Sequence, residues 1–238
     1  MANRKKKYGM GRIRELLKLP SAEPMYVLNI LDYSDFKSYR WYGLAVLPAL
    51  KLVGGNVEWS GYPAEMLHGE AQCQSILVVR YPSHKHFIRM IANPYYAAIN
   101  KIREKAVSRF EGAFSEGVTG HGDNLHRKRK LLVLHFNSEA PKAAFKQAET
   151  MLKPLGAEPL LSISQYLALE LMPRPKPTDP NPLTYKRNMF FAVDEVSDEL
   201  RASLNVLAAD LGDCRIGIYK SANPKAYMPG QPVPAYAQ

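Results

Sequence analysis

The chain has few cysteines and no long apolar run. Its 238 residues include two cysteines, Cys73 and Cys214, which lie far apart in the sequence. Two thiols in a chain of this length are typical of a reducing compartment, which predicts a cytoplasmic location. No apolar run reaches the ~18–20 residues of a membrane-spanning helix. Charged residues between Arg12 and Lys18 interrupt the segment that a signal peptide would use.

Motifs for nucleotide and metal chemistry are also absent from the sequence. There is no phosphate-binding loop, no Gly-x-Gly-x-x-Gly fingerprint, no nucleophile elbow and no cysteine–histidine pattern with zinc spacing. His84 and His86 stand two residues apart at the start of an expected helix, where their side chains diverge and cannot share a metal ion. The sequence therefore predicts neither a metal site nor a nucleotide-dependent reaction.

The positive charge of the chain is confined to two short segments. The formal net charge is +10, of which residues 1–20 carry +6 and Arg127–Lys130 carries +4. The remainder of the chain is neutral, which argues against a basic nucleic-acid surface on the folded body. The aromatic strand motif of RNA-recognition domains is missing as well. Nucleic-acid binding through the basic N-terminal segment is therefore the last-ranked interpretation.

The clearest pattern lies between Pro24 and Glu116. Apolar runs and helical periodicities alternate there in the order β-α-β-β-α-β, which is the ferredoxin-like arrangement. Asp32 or Ser34 is expected to cap the first helix. The pattern predicts strands over 25–31, 57–61, 75–81 and 109–115, and helices over 33–52 and, with a break at Pro94, from His84 to Val107.

A weaker copy of the same order follows. It predicts strands over 131–136, 160–171, 188–193 and 214–219, with helices over 141–155, capped by Ser138, and 197–211. The expected organisation is a basic N-terminal appendage (1–23), a first unit (24–116), a glycine-rich basic linker (117–130), a second divergent unit (131–221) and a proline-rich tail (222–238). The tail is expected either to lack regular structure or to drape over the surface.

The two units together predict a fold class. A single ferredoxin-like sheet carries helices on one face, so its other face needs a cover. Two units in one chain can supply that cover for each other. We therefore expect an α+β protein in which tandem β-α-β-β-α-β units bring their sheets together as an intramolecular α/β-barrel.

Specific residues of the first unit resemble a known family. They are Asn29 within the first strand, the Gly54-Gly55 pair, the Gly61 turn, Val79-Arg80-Tyr81-Pro82-Ser83 and the run Phe87, Met90, Asn93-Pro94-Tyr95-Tyr96. Residues 12–116 look like the DUF1330 family, which belongs to the dimeric α/β-barrel superfamily. The second half resembles the superfamily in element order alone.

The resemblance implies a pocket without naming its ligand. DUF1330 proteins have no settled activity. Their superfamily includes cofactor-free monooxygenases, an isomerase and haem-dependent enzymes, and these use the barrel interior or the space between sheet and helices. The resemblance thus implies a small-molecule ligand, and edge strands could still join two chains as a homodimer.

Three residues are candidates for catalysis. Asn29 is an amide in an apolar strand, where it could orient a substrate carbonyl or simply satisfy a neighbouring backbone group. Arg80 could bind a carboxylate if it faces inward, or could face solvent. His68, expected in a loop before the third strand, could act as a general base near neutral pH.

Five further residues are candidates for substrate binding. Tyr81 follows Arg80 and could donate to an enolate-like oxygen or pack on the next helix. Tyr96 and Arg103 are two helical turns apart and can face the same side, with Trp59 as a further wall. His135 could share a cavity with Asn29, because it occupies the corresponding strand of the second unit. A haem ligated by His135 is conceivable, although no cofactor is predicted.

Three hypotheses remain open from the sequence, and whether the protein is an enzyme is undecided. The first is binding or transformation of a small apolar or aromatic carbonyl or carboxylate compound, by a cofactor-free oxygenase or isomerase. The second is a non-catalytic binding or assembly protein. The third is nucleic-acid binding through the basic segment.

Overall fold

The computed structural model describes residues 9–18, 24–71, 73–120, 122, 125, 130–136, 142–170 and 185–238. Within these ranges the chain forms eight strands that close into one antiparallel barrel. Five α-helices of the described residues pack outside it. No helix among the described residues is long and apolar enough to cross a membrane.

The elements follow one another in the predicted order. The strands are β1 (Met25–Tyr33), β2 (Asn56–His68), β3 (Ser75–Tyr81), β4 (Val107–Gly120), β5 (Lys130–Phe136), β6 (Glu158–Glu170), β7 (Arg187–Ala192) and β8 (Cys214–Ser221). The helices are α1 (Phe36–Leu52), α2 (His84–Ile91), α3 (Pro94–Ala106), α4 (Lys142–Leu152) and α5 (Asp198–Leu211). Short 3-10 segments cover Gly9–Lys18, Lys153–Leu155, Pro224–Tyr227 and Ala235–Ala237.

The strand order around the barrel is the same in both halves. It runs β1-β3-β2-β8-β5-β7-β6-β4, so the order β4-β1-β3-β2 of the first half recurs as β8-β5-β7-β6. Each half supplies a four-stranded sheet, and the sheets join edge to edge at the β2–β8 and β4–β6 seams. The predicted fold class, an α+β chain with an intramolecular α/β-barrel, is confirmed.

The strands at the seams are longer than predicted. We expected β2 to end at Gly61, but it continues to His68 and pairs with β8 from Gly61 onward. Likewise β4 runs to Gly120, into the predicted linker, and its last residues pair with β6. These extensions are stabilised by strands of the other half, which a local sequence pattern does not reveal.

Strand alternation divides the apolar residues into three layers. Inward residues such as Leu28, Val78, Val133 and Phe190 fill the barrel. Their outward neighbours pack between the first sheet and α1, α2 and α3, or between the second sheet and α4 and α5. We call the first of these outer layers the first helix layer.

The start of α1 differs from the prediction. The cap is Asp35, whose carboxylate accepts from the Ser38 backbone N–H at 3.1 Å. Neither Asp32 nor Ser34 caps the helix, because β1 continues through Tyr33 and keeps Asp32 in the strand. A side-chain oxygen at this position satisfies one of the free N–H groups of the first turn.

Both terminal segments pack on the first helix layer. Leu16, in the first 3-10 segment, is fully buried there. At the other end the Arg40 guanidinium donates to the carbonyls of Gln231 and Pro232, each at 2.5 Å. The tail therefore drapes over the surface, the second of the two predicted alternatives. The following parts of the prediction lie outside the described residues: the Ser138 cap, residues 1–8, Arg127–Arg129 and the proline-rich loop over 173–182.

Candidate functional site

His135 projects into one end of the barrel. In β5 the residues Leu132, Leu134 and Phe136 face the helices, while Leu131 and Val133 face the interior. Alternation therefore turns His135 inward, where it is 3% exposed. Its neighbours across the sheet are Asn188 on β7 and Arg215 on β8. Directly opposed residues of antiparallel strands share a face, so three polar side chains stand side by side.

A small cavity lies beside His135. Its volume is about 20 Å³, which is room for about one water molecule. Apolar and aromatic residues form most of its wall, and two charged residues stand at its rim. The lining consists of Ile30, Met66, Glu70, Cys73, Ile76, His135, Tyr185, Arg215 and Tyr219. We call this place the barrel mouth.

The hydrogen bonds of Asn188 fix the tautomer of His135. The Asn188 Nδ2 group donates to the Tyr185 carbonyl at 3.3 Å, which leaves its Oδ1 turned to the histidine. That oxygen lies 2.5 Å from His135 Nδ1. Because an amide oxygen can only accept, Nδ1 carries the proton and Nε2 carries the lone pair.

The imidazole is neutral at neutral pH. Burial lowers the pKa of His135 to about 4, and the hydrogen bond with Asn188 opposes this only in part. The Nε2 atom is buried and has no hydrogen-bond partner among the described residues. A neutral ring with an unpartnered lone pair is a hydrogen-bond acceptor and a base for a bound molecule.

Two tyrosine rings hold the imidazole in place. The His135 ring stacks on Tyr185 with centroids 5.3 Å apart and an interplanar angle of 26°. The Tyr219 ring meets it edge-on at 5.8 Å. A ring packed on two sides cannot turn freely, so the direction of Nε2 is set before a ligand binds.

The thiol at the barrel mouth is not an activated nucleophile. Cys73 packs against Ile30 and Tyr185. Burial, together with the nearby carboxylates of Asp32 and Glu111 and opposed by Arg109, raises the pKa of the Cys73 thiol to about 12. The thiol is therefore protonated at neutral pH and serves as part of the wall.

Arg215 brings a positive charge to the rim. Its side chain is 26% exposed, and its Nη1 lies 3.6 Å from the Asp213 carboxylate and donates to the Cys214 carbonyl at 2.9 Å. Gly69 makes room for it, because a Cβ at that position would lie 2.3 Å from the Arg215 Cδ. Gly69 also has φ of +72°, which other residues rarely adopt.

The predicted catalytic residues do not meet at this site. Asn29 faces the first helix layer with Val27 and Leu31, so it shares no cavity with His135. That expectation was wrong because Ile30, the neighbour of Asn29, is the inward residue at the cavity. His68 is the exposed last residue of β2 and not part of a loop.

Arg80 is inward but lies elsewhere in the barrel. It is four residues along β3 from Ile76, which corresponds to roughly 13 Å. Its Nε donates to the Glu58 carboxylate at 2.7 Å, and Glu58 is 1% exposed. A ligand carboxylate would have to compete with Glu58 for this guanidinium.

Of the predicted binding residues, His135 lies at the barrel mouth and the other four occupy two other places. Trp59 fills the barrel interior, where its Nε1 donates to the Ser221 hydroxyl at 3.0 Å. Tyr81, Tyr96 and Arg103 lie in or against the first helix layer, and an Arg103 nitrogen lies 3.5 Å from the Tyr96 hydroxyl. The structure therefore has Tyr96 and Arg103 on the same side of α3, as predicted.

Sequence reasoning missed the partners of His135. Asn188 precedes the apolar run Met189, Phe190 and Phe191, so it carried the same signal that singled out Asn29, a polar residue in an apolar strand. Tyr185 and Arg215 had no local signal. Arg215 comes beside His135 through the β5–β8 pairing, and Tyr185, which precedes β7, stacks on the His135 ring.

The barrel mouth does not fit a haem. A macrocycle ligated by His135 needs a wide apolar slot, but the cavity beside the imidazole measures about 20 Å³. The interior below it is filled by side chains, including Trp59 and Phe190, whose rings pack edge to face at 6.0 Å. In the part of the chain that the structure describes, no three His, Cys, Asp or Glu side chains form a metal-binding group.

Comparisons with known proteins found one family match and several similar solved structures. Residues 24–118 match the model of a domain of unknown function, DUF1330. A protein of unknown function from Rhodopseudomonas palustris is 23% identical over 45% of this chain and 92% of its own, with a TM-score of 0.42. An anthrone oxidase-like protein is 11% identical over 86% of this chain and 94% of its own, with a TM-score of 0.45.

A third solved structure covers nearly the whole chain. It is a mutant chlorite dismutase from Candidatus Nitrospira defluvii, 9% identical over 94% of this chain and 99% of its own, with a TM-score of 0.50. At this identity the likeness concerns the fold alone. Among curated proteins, none matches the chain. Residues 24–118 thus match the DUF1330 family model, and the chain as a whole is similar in fold to this α/β-barrel structure.

Proposed function

We propose that the barrel mouth binds a small compound with an apolar body, a carbonyl group and a carboxylate. Nε2 of His135 takes a proton from the carbon beside that carbonyl. The observation that carries the proposal is the neutral, buried Nε2 that lines a cavity and has no hydrogen-bond partner among the described residues. Because no group among the described residues uses this lone pair, it can accept a proton from a bound ligand.

The ligand class follows from the wall and the rim. Ile30, Ile76 and Met66 offer apolar surface to the body of the ligand. Arg215 can pair with a carboxylate at the rim, where part of its side chain is exposed. Since the cavity is small, only the reacting end of the ligand enters it, and the remainder lies between Met66 and Arg215.

The low pKa of His135 rises when such a ligand binds. Burial alone penalises the imidazolium, but an anion placed beside the ring favours the charged form. Negative charge that develops on the carbonyl oxygen during proton removal also favours the imidazolium and therefore raises the pKa of His135. The base is therefore weak in the free protein and becomes stronger in the complex.

The proposed step balances without a further reactant. The C–H bond breaks, its proton moves to Nε2, and its electron pair moves into the enolate. An isomerase returns the proton to a different carbon of the same molecule. An oxygenase instead passes enolate electrons to dioxygen, which is then the co-reactant. Proton removal is common to both classes.

The test is hydrogen–deuterium exchange at the carbon beside the carbonyl. α-Keto and β-keto carboxylates with small apolar side chains are incubated with the protein in deuterated buffer, and the loss of the proton signal is followed by NMR. We expect exchange above the rate without protein for at least one compound. His135→Gln should lower that rate by about 10²–10⁴-fold.

Two variants distinguish ligand binding from proton removal and provide a control. Arg215→Met should raise KM more than it lowers kcat, because it removes a binding contact and leaves the base. His68→Gln replaces an exposed histidine outside the cavity and should leave the rate unchanged. Exchange that survives in His135→Gln, or a panel in which no compound exchanges or binds, contradicts the proposal.

A second candidate function is assembly through the outer face of α1. Trp41 and Leu52 are 58% and 77% exposed. They lie on one stripe of the helix with Ala45, whose carbonyl accepts from the exposed Tyr95 hydroxyl at 2.7 Å. Exposed apolar stripes often mark protein interfaces, and a second copy of the chain would make a homodimer. Sedimentation velocity of wild type and of Trp41→Ser with Leu52→Ser tests it: a concentration-independent monomer contradicts it.

A further inference from the structure

Arg103 is a buried cation on α3 that no described carboxylate compensates. It is 5% exposed, and its Nε has no hydrogen-bond partner among the described residues. Its Nη1 lies 3.5 Å from the Tyr96 hydroxyl, at the outer limit of a hydrogen bond. A guanidinium has five N–H donors and stays charged, so this single long contact within the described residues does not satisfy it.

Aromatic rings surround this guanidinium. The Arg103 Cζ lies 3.9 Å from the Phe110 ring centroid and 5.8 Å from that of Tyr42. Ring faces attract a cation, but they do not accept its in-plane N–H bonds as a carboxylate does. Among the described residues, Arg103 therefore has one hydrogen-bond acceptor, the Tyr96 hydroxyl, and no carboxylate partner.

The neighbouring hydroxyls are donors as well. Burial raises the pKa values of Tyr39 and Tyr42 well above the ordinary tyrosine value, although Arg103 lowers both in part. Both phenols are therefore protonated at neutral pH. An anion at this place would meet one guanidinium and phenol O–H groups.

The C-terminal segment, Pro224–Gln238, covers the outer end of the same aromatic row. From Tyr42 the row continues through Tyr39 at 5.6 Å and Tyr33 at 4.8 Å, and then to Phe36. Phe36 meets two rings of the C-terminal segment, Tyr227 at 5.4 Å and Tyr236 at 6.2 Å. The covering segment is tied down by Arg40, which donates to two of its carbonyls.

We infer that the first helix layer holds a second binding site, for a carboxylate with an aromatic body, beneath the C-terminal segment. The ligand carboxylate pairs with the Arg103 fork, and its ring packs along the Tyr39 and Tyr42 faces. Rings of the C-terminal segment occupy the outer end of the row, so the segment competes with the ligand. This site lies in a different layer of the fold from the barrel mouth and does not depend on it.

The experiment titrates the full-length protein with benzoate, using benzyl alcohol as the uncharged control, by calorimetry and ligand-observed NMR. Benzoate should bind more tightly than benzyl alcohol. Arg103→Met should weaken benzoate binding by about ten- to hundredfold, since charge-assisted hydrogen bonds are lost. The matched control is Arg89→Met, on an exposed position of the neighbouring helix α2, which should bind benzoate as wild type does.

Further variants separate the charge of Arg103 from its planar fork. Arg103→Lys keeps the charge and loses the fork, so it should bind benzoate several-fold more weakly than wild type; this variant decides the case if Arg103→Met does not fold. Arg40→Met releases the C-terminal segment and should tighten benzoate binding. Equal binding by wild type, Arg103→Met and Arg103→Lys overturns the inference. So does benzoate binding that is lost in Arg215→Met and not in the Arg103 variants, a result that would instead support the barrel mouth.

Discussion

Replacing His135 with phenylalanine isolates the contribution of one buried titratable group to stability. Phenylalanine keeps a ring beside Tyr185 and removes the imidazole, whose pKa burial lowers from 6.5 to about 4. Between these two values the unfolded chain binds a proton that the folded chain does not. Folding stability therefore falls as the pH drops through this window, and the loss is complete below the folded pKa.

The magnitude follows from the two pKa values. Between about pH 7 and about pH 5 the wild-type protein should lose about 2 kcal/mol of folding free energy through His135. His135→Phe also leaves Asn188 without its partner, which costs about 1–3 kcal/mol at every pH. The informative quantity is therefore the change with pH and not the absolute stability.

Urea unfolding at the two pH values measures that change. Wild type should lose about 2 kcal/mol more than His135→Phe on acidification. The control is His68→Phe, at the exposed end of β2, which should follow the wild-type dependence. If His135→Phe and wild type lose the same free energy, His135 is not a buried neutral histidine and the account of the site fails.

Three glycine variants test the barrel and its rim. Gly61→Ala should destabilise by about 1–3 kcal/mol, because its Cβ would lie 2.1 Å from the Trp59 ring at the β2–β8 seam. Gly43→Ala is the matched case in α1, where a Cβ meets nothing within 4 Å, and it should stabilise by about 0.5–1 kcal/mol. Gly69→Ala should destabilise by about 1–2 kcal/mol and displace Arg215, which weakens carboxylate binding at the barrel mouth. Urea midpoints check the three stabilities, and unchanged midpoints for Gly61→Ala and Gly69→Ala contradict the packing described.

Local periodicity was enough to predict most of the fold. The strand over 75–81 and the helix breaks at Pro94 and Gly156 have the predicted bounds, because alternation and turn residues act over a few neighbours. The long ends of β2 and β4 were missed. They exist because strands from the other half pair with them, and that information is distant in the sequence.

The site was less predictable than the fold, because it depends on which face of its strand each residue occupies and on the register between paired strands. Asn29 and Asn188 give the same signal in the sequence, but only Asn188 faces the barrel interior beside His135. One step along a strand moves a side chain to the opposite face. The pairing of His135 with Arg215 also depends on the register of β5 and β8, which no local motif specifies.

A long-range nitrogen–proton NMR spectrum of the histidines, recorded from about pH 7 to about pH 4, shows directly whether His135 is a buried neutral base. We expect His135 to be neutral at pH 7 with its proton on Nδ1, to stay neutral until the pH approaches about 4, and to shift at Nε2 when a keto carboxylate binds. A His135 that carries its proton on Nε2, or that titrates near the ordinary histidine value, would contradict this expectation.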